Sequence, residues 1–195
     1  ASSQEIKKAY NRSNKSVTVG FNRRFSPFAI QAKNLIHKED QPINVIATMN
    51  AGFIGKDHWV HDMEIGGGRI IGEACHYIDL ISFMTGSEVA SVVMNAQGVA
   101  PRVDTDNASI LLKYKNGSQG VINYYSNGSK EYSKERLEIY AQQKNIIIDN
   151  FRNISFYGYR VKNKKTNQDK GHYNQFKMWN EMIIRGGESI IPFES

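Results

Sequence analysis

The chain has 195 residues, 40% of them hydrophobic and 23% charged, which suits one packed domain and excludes a disordered chain or a coiled coil. The formal net charge is +6, but the basic residues are scattered and no helix-turn-helix, zinc-finger or RNA-binding pattern accompanies them, so nucleic acid is not the expected partner. No apolar run is long enough to span a bilayer, the N-terminal stretch lacks the apolar core of a signal peptide, and Cys75 alone permits no intrachain disulfide; a cytoplasmic protein is expected.

In chain order, Gln4 to Tyr10 reads as a polar helix end and Val17 to Phe21 as a short buried strand. Ser26-Pro27 opens a helix whose apolar residues Phe28, Ala29, Ala32, Leu35 and Ile36 recur at helical spacing to about His37. Asn44 to Ala51 is strand-like. Gly52 to Gly68 is a loop rich in Gly, His and Trp, and connectors of that length are usually functional. Ile70 to Met84 is a second helix with Thr85-Gly86 as its C-terminal signal. Strands follow at Val89 to Ala96, at Ser109 to Tyr114 and Gln119 to Tyr125 around Asn116-Gly117, at Leu137 to Ala141 and Asn145 to Asp149 around Gln-Gln-Lys, and at Ile154 to Tyr159. Arg160 to Lys165, with Lys170 nearby, reads as a solvated basic loop, and Gln175 to Arg185 as a last helix ending at Gly186-Gly187. The expected class is α+β: a mostly antiparallel open sheet with helices packed on one face. The lone strand at the start, and a stop at Ile190 to Ser195 where Pro192 would open another helix, read as a chain cut at both ends.

Chemistry concentrates in Gly66-Gly-Gly-Arg-Ile-Ile-Gly72-Glu-Ala-Cys-His76-Tyr-Ile-Asp79. Three consecutive glycines leave backbone bare enough for a flat ligand to approach. On a helix, Glu73 and His76 share a stripe and Asp79 edges round it, so a carboxylate–imidazole pair for proton transfer is one reading. A hydrogen-bonded structural histidine, with Asp79 anchoring a loop, is the other. The glycines give G-x-G-x-x-x-G without a preceding buried strand, so a dinucleotide turn is rejected. No zinc-type spacing joins His58, His61, Glu64, His76 and Asp79, and no metal is assigned. Cys75 reads as a small buried apolar residue.

Gly20-Phe-Asn-Arg-Arg-Phe-Ser-Pro27, followed about forty residues later by the glycines and His76-Tyr-Ile-Asp79, resembles the glucose-fructose oxidoreductase / inositol dehydrogenase / rhizopine-catabolism (Gfo/Idh/MocA) family. The resemblance implies a two-domain dehydrogenase: residues 1–21 as the tail of an N-terminal Rossmann domain binding NAD or NADP, and residues 22–195 as the substrate and oligomerisation domain. It implies oxidation or reduction of a sugar, sugar nucleotide or cyclitol, in the setting of polysaccharide or nucleotide-sugar metabolism, by a homo-oligomer formed through the sheet; the domain alone would be inactive. A non-catalytic sugar- or dinucleotide-sensing regulator is the alternative. His76 matches the family histidine, whereas the family aspartate falls on Gly72, with Glu73 one step later; either Glu73 orients His76, or the family's lysine, expected upstream of residue 1, does most of the acid–base work. The catalytic pair carried over is His76 and Glu73. Trp59, His58, Asp79 and Arg24 are the substrate contacts, and Asn22, Gly67 and Gly68 the cofactor contacts. An ordinary core role for Trp59 and a junction-capping role for Arg24 stay open.

Overall fold

The computed structural model describes residues 3–13, 15–36, 41–102, 105–186 and 189–191. Helix α1 (Ser3–Arg12) is exposed and is followed by an irregular stretch, a 3-10 turn at Asn22–Phe25 and α2 (Pro27–Ile36). After β1 (Asn44–Asn50) and the long loop come a wide π-type turn at Ile70–Ala74 and α3 (Cys75–Thr85). The rest is β2 (Val89–Ala96), β3 (Ala108–Tyr114), β4 (Gln119–Tyr125), β5 (Glu135–Ala141), β6 (Lys144–Asp149), β7 (Asn153–Tyr157), β8 (Lys164–Lys165) and α4 (His172–Arg185).

The eight strands form one open sheet in the order β2-β3-β4-β1-β5-β6-β7-β8, with only the β1–β4 pair parallel. Strict alternation gives the sheet two different faces. Register places Met94, Ile110, Ile122, Ala47, Leu137, Ile148 and Ile154 in one row on the helix-covered face. All of these but Met94, on the edge strand, are buried, and α2 and α3 close over them. Gly120 is small of necessity, since a Cβ there would meet Ile81 of α3 at 2.9 Å. Lys33 joins the two helices by donating to the Met84 carbonyl at 3.0 Å, near the C-terminal end of α3 where a cation is favoured. The opposite face carries the row Val93, Leu111, Val121, Ile46, Glu138, Ile147 and Ser155, none of it buried. The α+β expectation therefore holds.

Several local expectations change. Val17 to Phe21 forms no strand: it is irregular, largely half-exposed backbone, tightened by Phe21 and Asn22 amides donating to the Val19 and Gly20 carbonyls at 2.9 and 3.0 Å. With no neighbouring strand to pair with among the described residues, its carbonyls accept from side chains instead, Val19 from Gln175 Nε2 at 2.8 Å and Val17 from Ser189 Oγ at 3.0 Å. The β3–β4 hairpin turns with Gly117 alone left-handed (φ +89°), so its Asn-Gly pair is not a two-residue mirror turn. The β5–β6 hairpin does use that geometry, with Gln142 and Gln143 both at positive φ. Strand β7 ends at Tyr157 rather than Tyr159, and α4 begins three residues earlier than expected, at His172. The basic stretch contains the short edge strand β8. The expected helix end at His37, Gly187 and the Pro192–Ser195 segment lie outside the described residues.

Candidate active site

His76 sits in the first turn of α3, with Phe21 edge-on to its ring at 5.6 Å. Its Nδ1 is buried and has no hydrogen-bond partner. It borders an open cleft of about 400 Å³ lined by Gly20, Asn22, Arg23, Lys170, His172 and Gln175 together with Phe176. Burial, and next the positive charge of Arg23, push the imidazole down to about 4, so it is neutral at physiological pH.

Behind the cleft lies a cluster that sequence reading overlooks. Glu135, at the start of β5 and 1% exposed, accepts from Arg23 Nε at 2.8 Å, from Arg23 Nη2 at 3.3 Å and from Lys170 Nζ at 2.5 Å. Burial opposes ionisation of this carboxyl, but the two cations outweigh it and hold it at about 2. Arg23 also stacks over Tyr77, 5.2 Å from the ring centre. The only signal for Arg23 was its place in the Asn-Arg-Arg-Phe run. Lys170, grouped with a solvated basic loop, is instead folded inward.

The residues expected to act together divide among separate networks. Glu73 does not partner His76. The wide turn at Ile70–Ala74 replaces the regular helix that would have stacked them, and Glu73 accepts from Arg69 at 3.4 Å. Arg69, also overlooked, is 1% exposed and donates to the carbonyls of Gly52 at 2.7 Å and Ala51 at 3.2 Å, pinning the long loop to β1. Arg24 and Asp79 pair with each other through both oxygens, 2.9 Å on one side. They line the neighbouring groove with Phe21, Cys75 and Phe83. Burial pushes the Asp79 carboxyl up, and Arg24 reverses this only in part. Asn22 borders the His76 cleft, but its Nδ2 is committed to the Lys170 carbonyl at 2.8 Å.

The loop residues lie apart from that cleft. Trp59 is 61% exposed, with the His58 ring tilted against it at 5.6 Å, so it is not a core residue. The glycines do structural work first: a Cβ on Gly66 would lie 2.6 Å from the Trp59 carbonyl oxygen, so this backbone packs on backbone rather than on a ligand. Gly67 and Gly68 are left-handed turn residues at φ +70° and +83°. Gly72 faces open space, with nothing within 4 Å of a notional Cβ. Cys75 is half-buried, not buried, and its thiol donates weakly to the Gly72 carbonyl at 3.7 Å.

This geometry can be set beside known proteins. The family model described as the GFO/IDH/MocA C-terminal domain matches residues 37–147. The chain belongs to this family. A myo-inositol 2-dehydrogenase of Thermotoga maritima is 25% identical over 150 residues, covering 68% of this chain and 41% of the relative. The uncharacterised oxidoreductase YrbE of Bacillus subtilis is 24% identical over 202 residues, covering 90% of this chain and 53% of the relative. The chain thus spans about half the length of the curated relatives it matches. Among solved structures, an aldose-aldose oxidoreductase from Caulobacter crescentus superposes with a TM-score of 0.78 at 15% identity, over 98% of this chain and 61% of that one, a likeness of fold. Among the described residues no helix is long and apolar enough to cross a membrane.

Proposed function

We propose that this chain is the substrate-side half of a nicotinamide-dependent oxidoreductase that transfers hydride between a sugar or cyclitol carbon and NAD or NADP, with residues 22–195 meeting a dinucleotide-binding domain near residue 21. Family membership and dehydrogenase-named relatives support the reaction class. The observation that carries the site is His76: a neutral imidazole with an unpartnered buried nitrogen at the wall of a polar cleft.

The described residues around His76 suit the reacting end of such a cofactor. Phe21 and the exposed backbone of Gly20 and Gly72 leave room for a flat ring near His76, whereas Gly66 is closed by the Trp59–Val60 backbone. Gly67 offers an open turn beyond it, whereas Gly68 is buried against Met63, and Asn22 steadies the wall. When bound, the nicotinamide supplies the hydride acceptor. The chain's own residues do the rest: the neutral His76 imidazole takes the hydroxyl proton, and the Arg23–Glu135–Lys170 cluster fixes the cleft behind it. Glu73 would serve through Arg69 and the loop rather than through the imidazole, and Trp59 with His58 offers an aromatic face to a sugar ring. Arg24 and Asp79 would set the position of α3 under the substrate. The half-exposed apolar row Val93, Leu111, Val121 and Ile46 is the proposed contact for a second copy of the chain.

Turnover of NAD and NADP by the whole protein with inositols, aldoses and sugar nucleotides tests this. His76→Ala is expected to lower kcat/KM on the active substrate by about 10²-fold or more; an unchanged kcat/KM would remove His76 from the mechanism. A second reading, a sugar-sensing regulator without chemistry, draws on one observation: Gly72 leaves His76 without the carboxylate that the family pattern puts four residues before it. Sugar binding with no turnover of either nucleotide would favour it.

A further inference from the structure

We propose that the cleft beside His76 is an oxyanion subsite that selects sugars carrying a carboxylate or a phosphate. This rests on the site assigned above and names the class of substrate it takes.

The argument begins with charge. Two cations, Arg23 and Lys170, converge on one carboxylate, and among the described residues Glu135 is the acid paired with them. Glu135 is buried beneath them and neutralises one of the two, so the cleft keeps a net positive charge. No acidic side chain stands among the residues that line it.

Donor accounting points the same way. A guanidinium has five N–H groups and an ammonium three. Glu135 takes two from Arg23 and one from Lys170, and Tyr77 engages the 10%-exposed Arg23 as well, so the ammonium of Lys170, 20% exposed, holds the more accessible of the remaining donors. The neutral amides of the cleft are each half committed: Asn22 Nδ2 gives one N–H to the Lys170 carbonyl, and Gln175 Nε2 gives one to the Val19 carbonyl. Beside these amides the cleft offers a ligand charged donors, the exposed His172 imidazole, and one exposed apolar wall, Phe176 at 61%. That combination fits a sugar ring bearing an oxyanion better than a neutral polyol, because charge-assisted hydrogen bonds are the strong ones.

The arrangement also links binding to His76. Facing that imidazole are Arg23 from the turn, Lys170 just before α4, His172 at its start, and Glu135 from β5. The net positive surround disfavours its protonated form. An anion seated among them offsets that surround and strengthens His76 as a base.

The test is calorimetric binding of D-glucuronate, D-glucose 1-phosphate and D-glucose to the whole protein with nucleotide saturating. At least one acid is expected to bind roughly ten-fold or more tightly than glucose. The preference should fall as salt rises and vanish in Lys170→Gln, and the His76 titration of the unaltered protein should move upward on binding. The salt series keeps the test decisive if Lys170→Gln fails to fold. Equal binding of glucose, or a preference that survives Lys170→Gln in a folded protein, overturns the proposal. So does a preference that is present in a parallel nucleotide-free titration and absent with nucleotide saturating, which would assign the cleft to a cofactor phosphate. Turnover of neutral polyols without any acid preference overturns this inference and leaves the reaction standing. Acid binding with no hydride transfer does the reverse.

Discussion

Arg23 and Glu135, 112 residues apart in sequence, meet through two hydrogen bonds of 2.8 and 3.3 Å. The pair ties the turn at Asn22–Phe25 to the start of β5, and Lys170 adds the approach to α4. Three distant stretches of chain are thereby fixed behind one histidine.

Replacing Glu135 by Gln leaves two cations facing each other without their carboxylate, at a cost of about 3 kcal/mol. The pH dependence has a definite sign. Glu135 is held at about 2, below its ordinary 4.5, so the unfolded chain takes up the proton first as pH falls. Its contribution is complete above pH 4.5 and is lost as pH drops through 2. Urea midpoints should therefore separate the two proteins widely at pH 7 and much less at pH 2; a constant gap would place the stabilisation elsewhere.

His76 acts in a neighbouring window. Its imidazole is held near 4 against an ordinary 6.5, so between those values the unfolded chain binds a proton that the folded chain refuses. Folding stability therefore declines as pH falls from 6.5 to 4, and His76→Gln should flatten that slope while leaving the lower Glu135 window intact. A titration followed by histidine NMR resonances, with a midpoint near 6.5 for His76, would contradict the burial described.

Much of the fold was legible because it depends on periodicity. The alternation in Ala108–Tyr114 and Gln119–Tyr125 dictates a two-faced hairpin, and Gly86 at φ +65° ends α3 as its sequence demands. The candidate site was less legible for two physical reasons. A π-type turn at Ile70–Ala74 breaks the regular spacing on which the Glu73–His76 pairing rested. The partners that matter, Arg23, Glu135 and Lys170, are joined only by tertiary folding, and no local pattern in Glu135-Arg-Leu or Asp169-Lys-Gly announces them. Likewise Val17 to Phe21 has strand composition, yet composition cannot supply a neighbouring strand.

Arg24 and Asp79 offer a test of whether a nearly buried ion pair is there for stability. The Asp79 side chain is 4% exposed and that of Arg24 is 19%. Asp79→Asn should cost about 3 kcal/mol because it strands the guanidinium, whereas the joint change Arg24→Met with Asp79→Leu should recover most of that loss. A double-mutant cycle by chemical denaturation measures the coupling. If the joint variant is as unstable as the single one, the pair stabilises the fold beyond satisfying its own charges.

Gly72 gives the sharpest single-residue test. It precedes His76 by four residues, is exposed, lies outside the left-handed region and has open space where a side chain would stand. Gly72→Asp should therefore fold without strain, and Tm should hold or rise slightly, since glycine is the poorer residue within a helical turn. A carboxylate placed there supplies the negative neighbour that His76 lacks and favours the imidazolium, so the His76 titration is expected to move upward from about 4. A base closer to neutrality is a better proton acceptor at physiological pH, and kcat/KM of the whole protein should increase with the shift. If Tm and the titration both stay put, an aspartate at 72 does not reach His76, and the imidazole takes its character from the Arg23–Glu135–Lys170 side alone.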